Sequence, residues 1–294
     1  MLAKRANTAQ FPDEGKECAL ICSDLSLALG GVEILASVNL EVAKGEVIGL
    51  VGPNGAGKTS LLNTINGVYR ATSGSIEIFG NKTTAYRPHR VAALGVARTF
   101  QNGPASTDMT VADLALLGRH LRIQARALPY ALGITALRQS ERQERGRVLE
   151  ALALLGLDTI SSAFVVDLPF GKAKLADLAR ALCSEPQLLL LDEPVSGLDS
   201  KTRSEMVTTI RNICGKMRIA TVIVEHDMGV VRQLADRIVV LSAGRVLLEG
   251  EPAEVLADPE VRRVFLGEQR RGQTSELRGQ VGGNGVHGHE SGQL

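Results

Sequence analysis

The sequence predicts an α/β fold, a mostly parallel sheet with helices on its faces, and two observations predict it. Short apolar runs recur at Val47–Val51, 188–191, Ala220–Val224 and 238–241, each about the length of a strand. Such runs are what strands buried on both faces look like. Segments with apolar residues at helical spacing separate them, giving the alternation of a doubly wound sheet.

The elements follow in order. Residues 1–17 are polar and charged, with Pro12 and Gly15, and are expected to form a disordered extension. They lack the apolar stretch of a signal peptide. Residues 18–50 read as short strands, because Leu25, Leu27 and Leu29 alternate with polar or small residues and 37–42 alternates again. Gly30-Gly31 and Lys44-Gly45 supply the turns. Residues 58–66 read as a helix after a glycine-rich loop, and 75–79 as a strand closed by Gly80. The middle is helical at 111–121, 138–155 and 175–182, with a break at Pro129 and Gly133. From 271 to the end the chain is rich in Gly, Gln and Ser and is expected to be disordered, with His287 and His289 in solvent rather than on a metal.

Composition removes several classes of function. Aromatic residues are only 3% and Trp is absent, against reading of single strands by base stacking. A formal charge of +1 gives no general polyanion-binding surface, so no nucleic-acid partner is expected. Cys18, Cys22, Cys183 and Cys214 form no zinc-type pairs and read as small buried apolar residues of a reducing compartment. No segment offers about 20 uninterrupted apolar residues, so any membrane role must come through a partner.

The chemistry is concentrated at two places. Gly52, Pro53, Asn54, Gly55, Ala56, Gly57, Lys58 and Thr59 form a complete phosphate-binding P-loop, with Ser60 continuing into the helix. The glycines let several N–H groups turn inward, and the following helix aims its positive end at the same place. Lys58 can reach the β- and γ-phosphates and Thr59 can ligate Mg²⁺, so ATP and Mg²⁺ are the expected cofactors. The second place is the end of the 188–191 strand, where ligands of open α/β sheets sit. Asp192 is placed there to hold Mg²⁺, directly or through water. Glu193 is placed to polarise the attacking water as general base.

With these residues in view, the chain resembles the nucleotide-binding subunits of ABC transporters from about residue 18 to 268. L-D-E-P at 191–194 and S-G-L-D at 196–199 match that family's Walker B and D-loop, the latter ending in Asp199. R-T-F-Q at 98–101 matches the Q-loop, and V-E-H-D at 224–227 matches the switch region. The resemblance implies that Gln101 touches Mg²⁺ and senses the permease, and that His226 contacts the γ-phosphate. It also implies a P-loop NTPase core with an N-terminal antiparallel β subdomain and a helical subdomain inserted at about 102–184, within a domain spanning 18–270. Each ATP would lie between one subunit's P-loop and its partner's signature.

Two departures stand out. Leu29 occupies the place where the family stacks an aromatic on adenine. The signature L-S-G-G-Q appears as L-P-F-G-K, so Pro169, Gly171 and Lys172 take its nucleotide-facing places.

Within the family, R-T-F-Q after G-V-A, the long helical insertion, V-E-H-D-M, the terminal D-P-E-V-R-R-V-F-L-G at 258–267 and Phe170 look like the branched-chain amino acid importers, and the insertion like their larger ATPase. That implies a peripheral subunit on the cytoplasmic face of the membrane. Its partners would be a second ATPase subunit, two permease subunits and, indirectly, an external solute-binding protein. Urea, amide or aromatic-acid importers stay open as alternatives; a soluble non-transport ABC ATPase is less favoured, for want of a second such domain or sustained heptads. Within the insertion, Arg119, Arg122, Arg126, Arg138, Arg142, Arg145 and Arg147 face only Glu141 and Glu144, and read first as a solvated basic helix face.

Overall fold

The computed structural model describes residues 17–99, 108–120 and 134–265. Its first two strands, β1 (Cys18–Leu29) and β2 (Val32–Ala43), are long rather than short and pair as an antiparallel hairpin. Gly30 and Gly31 turn the corner with φ 58° and 82°. Such two-residue hairpin turns need positive φ at both positions, which glycine adopts without strain. With β4 (Ser73–Ile78) and β5 (Asn81–Lys82) this hairpin forms a four-stranded antiparallel sheet, in the order β2-β1-β4-β5.

The second sheet has six strands. It contains β3 (Val47–Val51), β6 (Val96–Arg98), β7 (Leu188–Asp192), β8 (Ala220–Val224), β9 (Arg237–Ser242) and β10 (Arg245–Gly250). Their order is β10-β9-β3-β8-β7-β6, parallel except for the terminal β9–β10 hairpin. Every residue of β3, β7 and β8 is buried, as the apolar runs require.

Two large cores lie on the faces of this sheet, beside a smaller cluster of Val51, Val231, Ile238 and Val240. One packs Leu20, Leu25, Leu27, Leu35 and Leu40 of the antiparallel sheet around α1 (Lys58–Ile65) and onto Ile48, Leu50, Leu190 and Val222. The other joins Leu189, Leu191 and Ile223 to the helices α3 (Val111–Leu117), α4 (Ile134–Leu154), α5 (Phe170–Cys183) and α6 (Ser200–Met217). The chain also forms α2 (Pro88–Ala93), α7 (Met228–Leu234) and α8 (Pro252–Ala257). No described helix is long and apolar enough to cross a membrane.

The basic insertion corrects one expectation. Arg142 and Arg145 are exposed, but Arg119 is only 1% exposed. Its guanidinium pairs with buried Glu144 of α4, donates to the Cys183 carbonyl at 2.9 Å, and meets Glu185 at 2.7 Å. Arg147 shares Glu185. Arg119 is thus a structural pin between α3, α4 and the end of α5, not part of a solvated face. Cys22, Cys183 and Cys214 are buried and Cys18 is half-buried. Burial pushes the Cys22 thiol up to about 12.

Candidate functional site

The predicted chemistry converges because β3, β8 and β7 are neighbours. The carboxyl end of β3 opens into the P-loop, that of β7 carries Asp192 and Glu193, and His226 follows β8 between them. Asp192 is the last residue of β7 and pairs in register with Val224, which in turn lies beside Leu50.

The P-loop has the shape its glycines allow. Gly52 has φ 153°, and a Cβ there would stand 2.0 Å from the Leu241 carbonyl oxygen. Gly57 caps α1 at φ 102°, where a Cβ would press on Leu35 and the Ile34 carbonyl. Asn54 and Gly55 face solvent, Ala56 is buried, and Thr59 and Ser60 are half-buried in the first turn of α1. Lys58 is buried and curls back along the loop, donating to the Gly52 and Pro53 carbonyls at 2.6 and 2.9 Å. Its charge is therefore held at the loop's mouth.

Asp192 is 1% exposed. One carboxylate oxygen accepts from Arg98 at 2.9 Å, while the other, Oδ1, is buried with no hydrogen-bond partner. Burial pushes this carboxyl above the usual range, opposed by the Arg98 guanidinium. A buried carboxylate oxygen without a donor suits a cation or its bound water. Together with the glycine-shaped cradle, the donor set fits Mg²⁺ on a bound nucleotide. Among the described residues no cluster of three or more His, Cys, Asp or Glu side chains could hold a metal alone. That accords with Mg²⁺, which is usually bound through one or two protein groups plus substrate phosphates.

Glu193 adopts a left-handed backbone, φ 51°. Its N–H donates to the Val224 carbonyl at 2.9 Å and its carbonyl accepts from Lys174 at 2.8 Å. Its side chain is 24% exposed and lies 3.5 Å from Nδ1 of His226, which is 54% exposed. Both can thus meet a ligand from solvent. Asp227 caps α7 by accepting from Gly229 and Val230, and is paired by Arg203, which also donates to the Leu198 carbonyl. The switch region and the D-loop are therefore joined through one side chain.

The remaining predicted residues stand apart from this convergence. Asp199 caps α6, accepting from the N–H groups of Lys201 and Thr202. Pro169 is the cap residue of α5 and supplies no side-chain hydrogen bond. Lys172 is exposed, and Gly171 packs so close to Thr202 that a Cβ would stand 2.6 Å from its Cγ2. Leu29 is 38% exposed at the hairpin tip, a few residues before Ile34, whose carbonyl abuts Gly57. Gln101 lies outside the described residues.

Sequence reasoning gave no role to Arg98, Lys174, Arg203 or Glu225. Arg98 lies within the R-T-F-Q motif, so a signal was present. Lys174 and Arg203 look like any charged residue of an amphipathic helix, and only their burial or partners distinguish them.

A P-loop facing a strand-end Asp-Glu pair across a parallel sheet defines a nucleotide-binding α/β protein. Comparison narrows this. Residues 35–196 match the family model described as ABC transporter, and residues 245–270 match one described as branched-chain amino acid ATP-binding cassette transporter. The chain is 31% identical over 246 residues to the high-affinity branched-chain amino acid transport ATP-binding protein BraF of Pseudomonas aeruginosa, covering 84% of this chain and 96% of that one. It is 31% identical over 249 residues to LivG of Salmonella typhimurium, a protein of the same description, covering 85% and 98%. The ADP conformation of MJ1267, an ATP-binding cassette of an ABC transporter, superposes with a TM-score of 0.73 at 26% identity, over 85% of this chain and 99% of that one. The chain belongs to the ABC transporter ATP-binding family, and within it to the branched-chain amino acid group.

Proposed function

We propose that this chain binds and hydrolyses MgATP to power an importer of branched-chain amino acids. The convergence of the P-loop, Asp192, Glu193 and His226 on the ends of three adjacent parallel strands supports the chemistry most directly. Lys58 and the loop N–H groups hold the phosphates. Thr59, Asp192 and Gln101 would hold Mg²⁺, which would supply charge neutralisation to the bound phosphates. Glu193 orients and deprotonates the attacking water, and His226 approaches the γ-phosphate from the neighbouring strand end. Leu29 packs on adenine through dispersion alone, while Asp199 and the Pro169–Gly171–Lys172 signature act across a dimer of ATPase subunits.

The permease has a fitting seat. A cleft of about 590 Å³ opens between the catalytic and helical layers, lined by Asn63, Val68, His89, Leu117, His120 and Arg180 among others. Val68 and Leu117 are exposed apolar residues there. Arg98 and Thr99 border the same cleft, immediately before the segment that carries Gln101. On this reading the chain sits at the cytoplasmic face of the membrane, held by its permeases, and the cleft supports that reading.

The test is reconstitution with the permease and solute-binding protein encoded beside the chain. Leucine-loaded binding protein should raise Mg²⁺-dependent ATP hydrolysis, and deleting the chain should abolish leucine uptake. Hydrolysis that answers only to urea, an amide or an aromatic acid would keep the motor and replace its solute. ATP neither bound nor hydrolysed would overturn the motor itself.

A further inference from the structure

The Asp192–Glu193 strand end is held by side chains that the P-loop chemistry does not use. Glu193 begins the loop from β7 to α6. Its N–H is fixed by the Val224 carbonyl of β8. Its carbonyl accepts from Nζ of Lys174, 2.8 Å away on α5. Two residues on, the Val195 N–H donates to Oε1 of Glu225 at 3.1 Å. Two of these three anchors are thus charged side chains of opposite sign. Lys174 is 8% and Glu225 1% exposed. Burial lowers the Lys174 ammonium and raises the Glu225 carboxyl, and each is partly offset by the other's charge. The ammonium also lies 5.1 Å from the centre of the Phe170 ring.

We propose that Lys174 is a positioning residue that sets the Glu193 carboxylate for attack and ties it to the signature helix. The argument is geometric. Glu193 holds a left-handed backbone that a non-glycine residue keeps only when its surroundings fix it. One of the bonds that fix it comes from α5, which begins within the signature. A displacement of α5 therefore pulls on the peptide of Glu193, not on the P-loop. Phe170 reinforces the link, since its ring touches Lys174 on one side and stands 3.1 Å from where a Cβ on Gly197 of the D-loop would lie. This rests on the reading of Glu193 as the base. It adds that one nucleotide site is informed, within a single chain, of how its signature is engaged at the other.

The consequence is a split between turnover and affinity. Lys174→Met keeps the volume of the stem and removes the donor. In the full-length chain assembled with its partners, kcat should fall by about 10²-fold, the scale on which small misplacements of reacting groups are felt. KM for ATP and the binding of a fluorescent ATP analogue should stay within about twofold, because no phosphate contact is touched. Lys174→Arg, which keeps charge and donor, should restore most of the rate. In a Glu193→Gln background, Lys174→Met should cost little more, since it acts through the same carboxylate.

A full multiplicative loss in that background, or a loss of ATP affinity in step with kcat, would overturn the proposal. So would normal turnover in Lys174→Met. If Lys174→Met does not fold, the shorter Lys174→Leu, which also lacks a donor, decides alone: normal turnover refutes, and lowered kcat at unchanged KM supports. Failure of the underlying reading looks different, for then Glu193→Gln by itself would turn over normally.

Discussion

Glu193 combines a backbone conformation that costs about 1–3 kcal/mol in an ordinary residue with a side chain left open to ligand. Strain at such a point persists because β8, Lys174 and Glu225 over-determine the loop. The role assigned to the side chain makes a direct prediction. Glu193→Gln should bind ATP normally and turn over about 10²- to 10⁴-fold more slowly, the usual worth of a positioned base; single-turnover hydrolysis at wild-type rate would remove it from the mechanism. Glu225 makes a second prediction through pH. Burial raises its carboxyl in the folded chain above the unfolded value of about 4.3. A raised acid favours folding fully below the unfolded value and loses that contribution as pH climbs through the folded one. Glu225→Gln keeps an oxygen for the Val195 N–H and removes the titration. As pH rises from about 4, the unfolded value, its melting temperature should therefore gain on that of wild type, whereas parallel curves would show that Glu225 is not strained by burial.

At the scale of elements, the pin between α3, α4 and α5 is a buried ion-pair cluster where the sequence suggested a solvated basic face. Arg119 and Glu144 are both nearly inaccessible, and Glu185 holds the cluster from a left-handed backbone at φ 54°. Removing one member of a buried pair leaves the other charged and unsolvated. Arg119→Met should therefore destabilise the chain by about 3–5 kcal/mol in urea unfolding, and adding Glu144→Leu should recover much of it. A loss below about 1 kcal/mol would mean that water reaches the pair. The same cluster shows where the sequence was legible and where it was not. The runs in β3, β7 and β8 could be placed because burial on both faces leaves them almost wholly apolar, with Thr221 and the strand-end Asp192 as the polar exceptions. The P-loop, Asp192 and Glu193 could be read because phosphate and water chemistry dictate residue type and spacing, whereas His226 was read only through the family resemblance. The length of β1 and β2 was hidden, because register shifts after Cys18, Cys22 and Leu25 break their alternation. Arg119, Lys174 and Arg203 were hidden for another reason. Nothing local tells a charged residue on a helix whether it will meet solvent or a carboxylate far along the chain.

Across the whole molecule, the altered signature makes the two ends of the chain unequal. The family's serine would offer a hydroxyl to the γ-phosphate of a partner's ATP. Pro169 offers neither hydroxyl nor N–H, and α5 begins without a side-chain cap. The helix is intact all the same, because the Pro169 carbonyl accepts from Lys172 and Ala173 at 2.8 and 3.1 Å. A hydrogen bond to a charged group is worth about 1.5–3 kcal/mol, enough to slow the site that this signature faces. Exposed Lys172 adds a cation that can compensate in part. The chain's own P-loop, Asp192, Glu193 and His226 carry no such change. Paired with a second subunit of ordinary signature, this chain would hold the stronger catalytic site and lend the weaker signature. Glu193→Gln should then lower ATP turnover of the assembled transporter far more than the matching glutamate change in the partner subunit. Restoring serine with Pro169→Ser should raise the activity of the partner's site and narrow that difference. Equal losses from the two glutamate changes, with no response to Pro169→Ser, would mean that L-P-F-G-K serves phosphate as well as the usual signature, through backbone N–H groups and Lys172 alone.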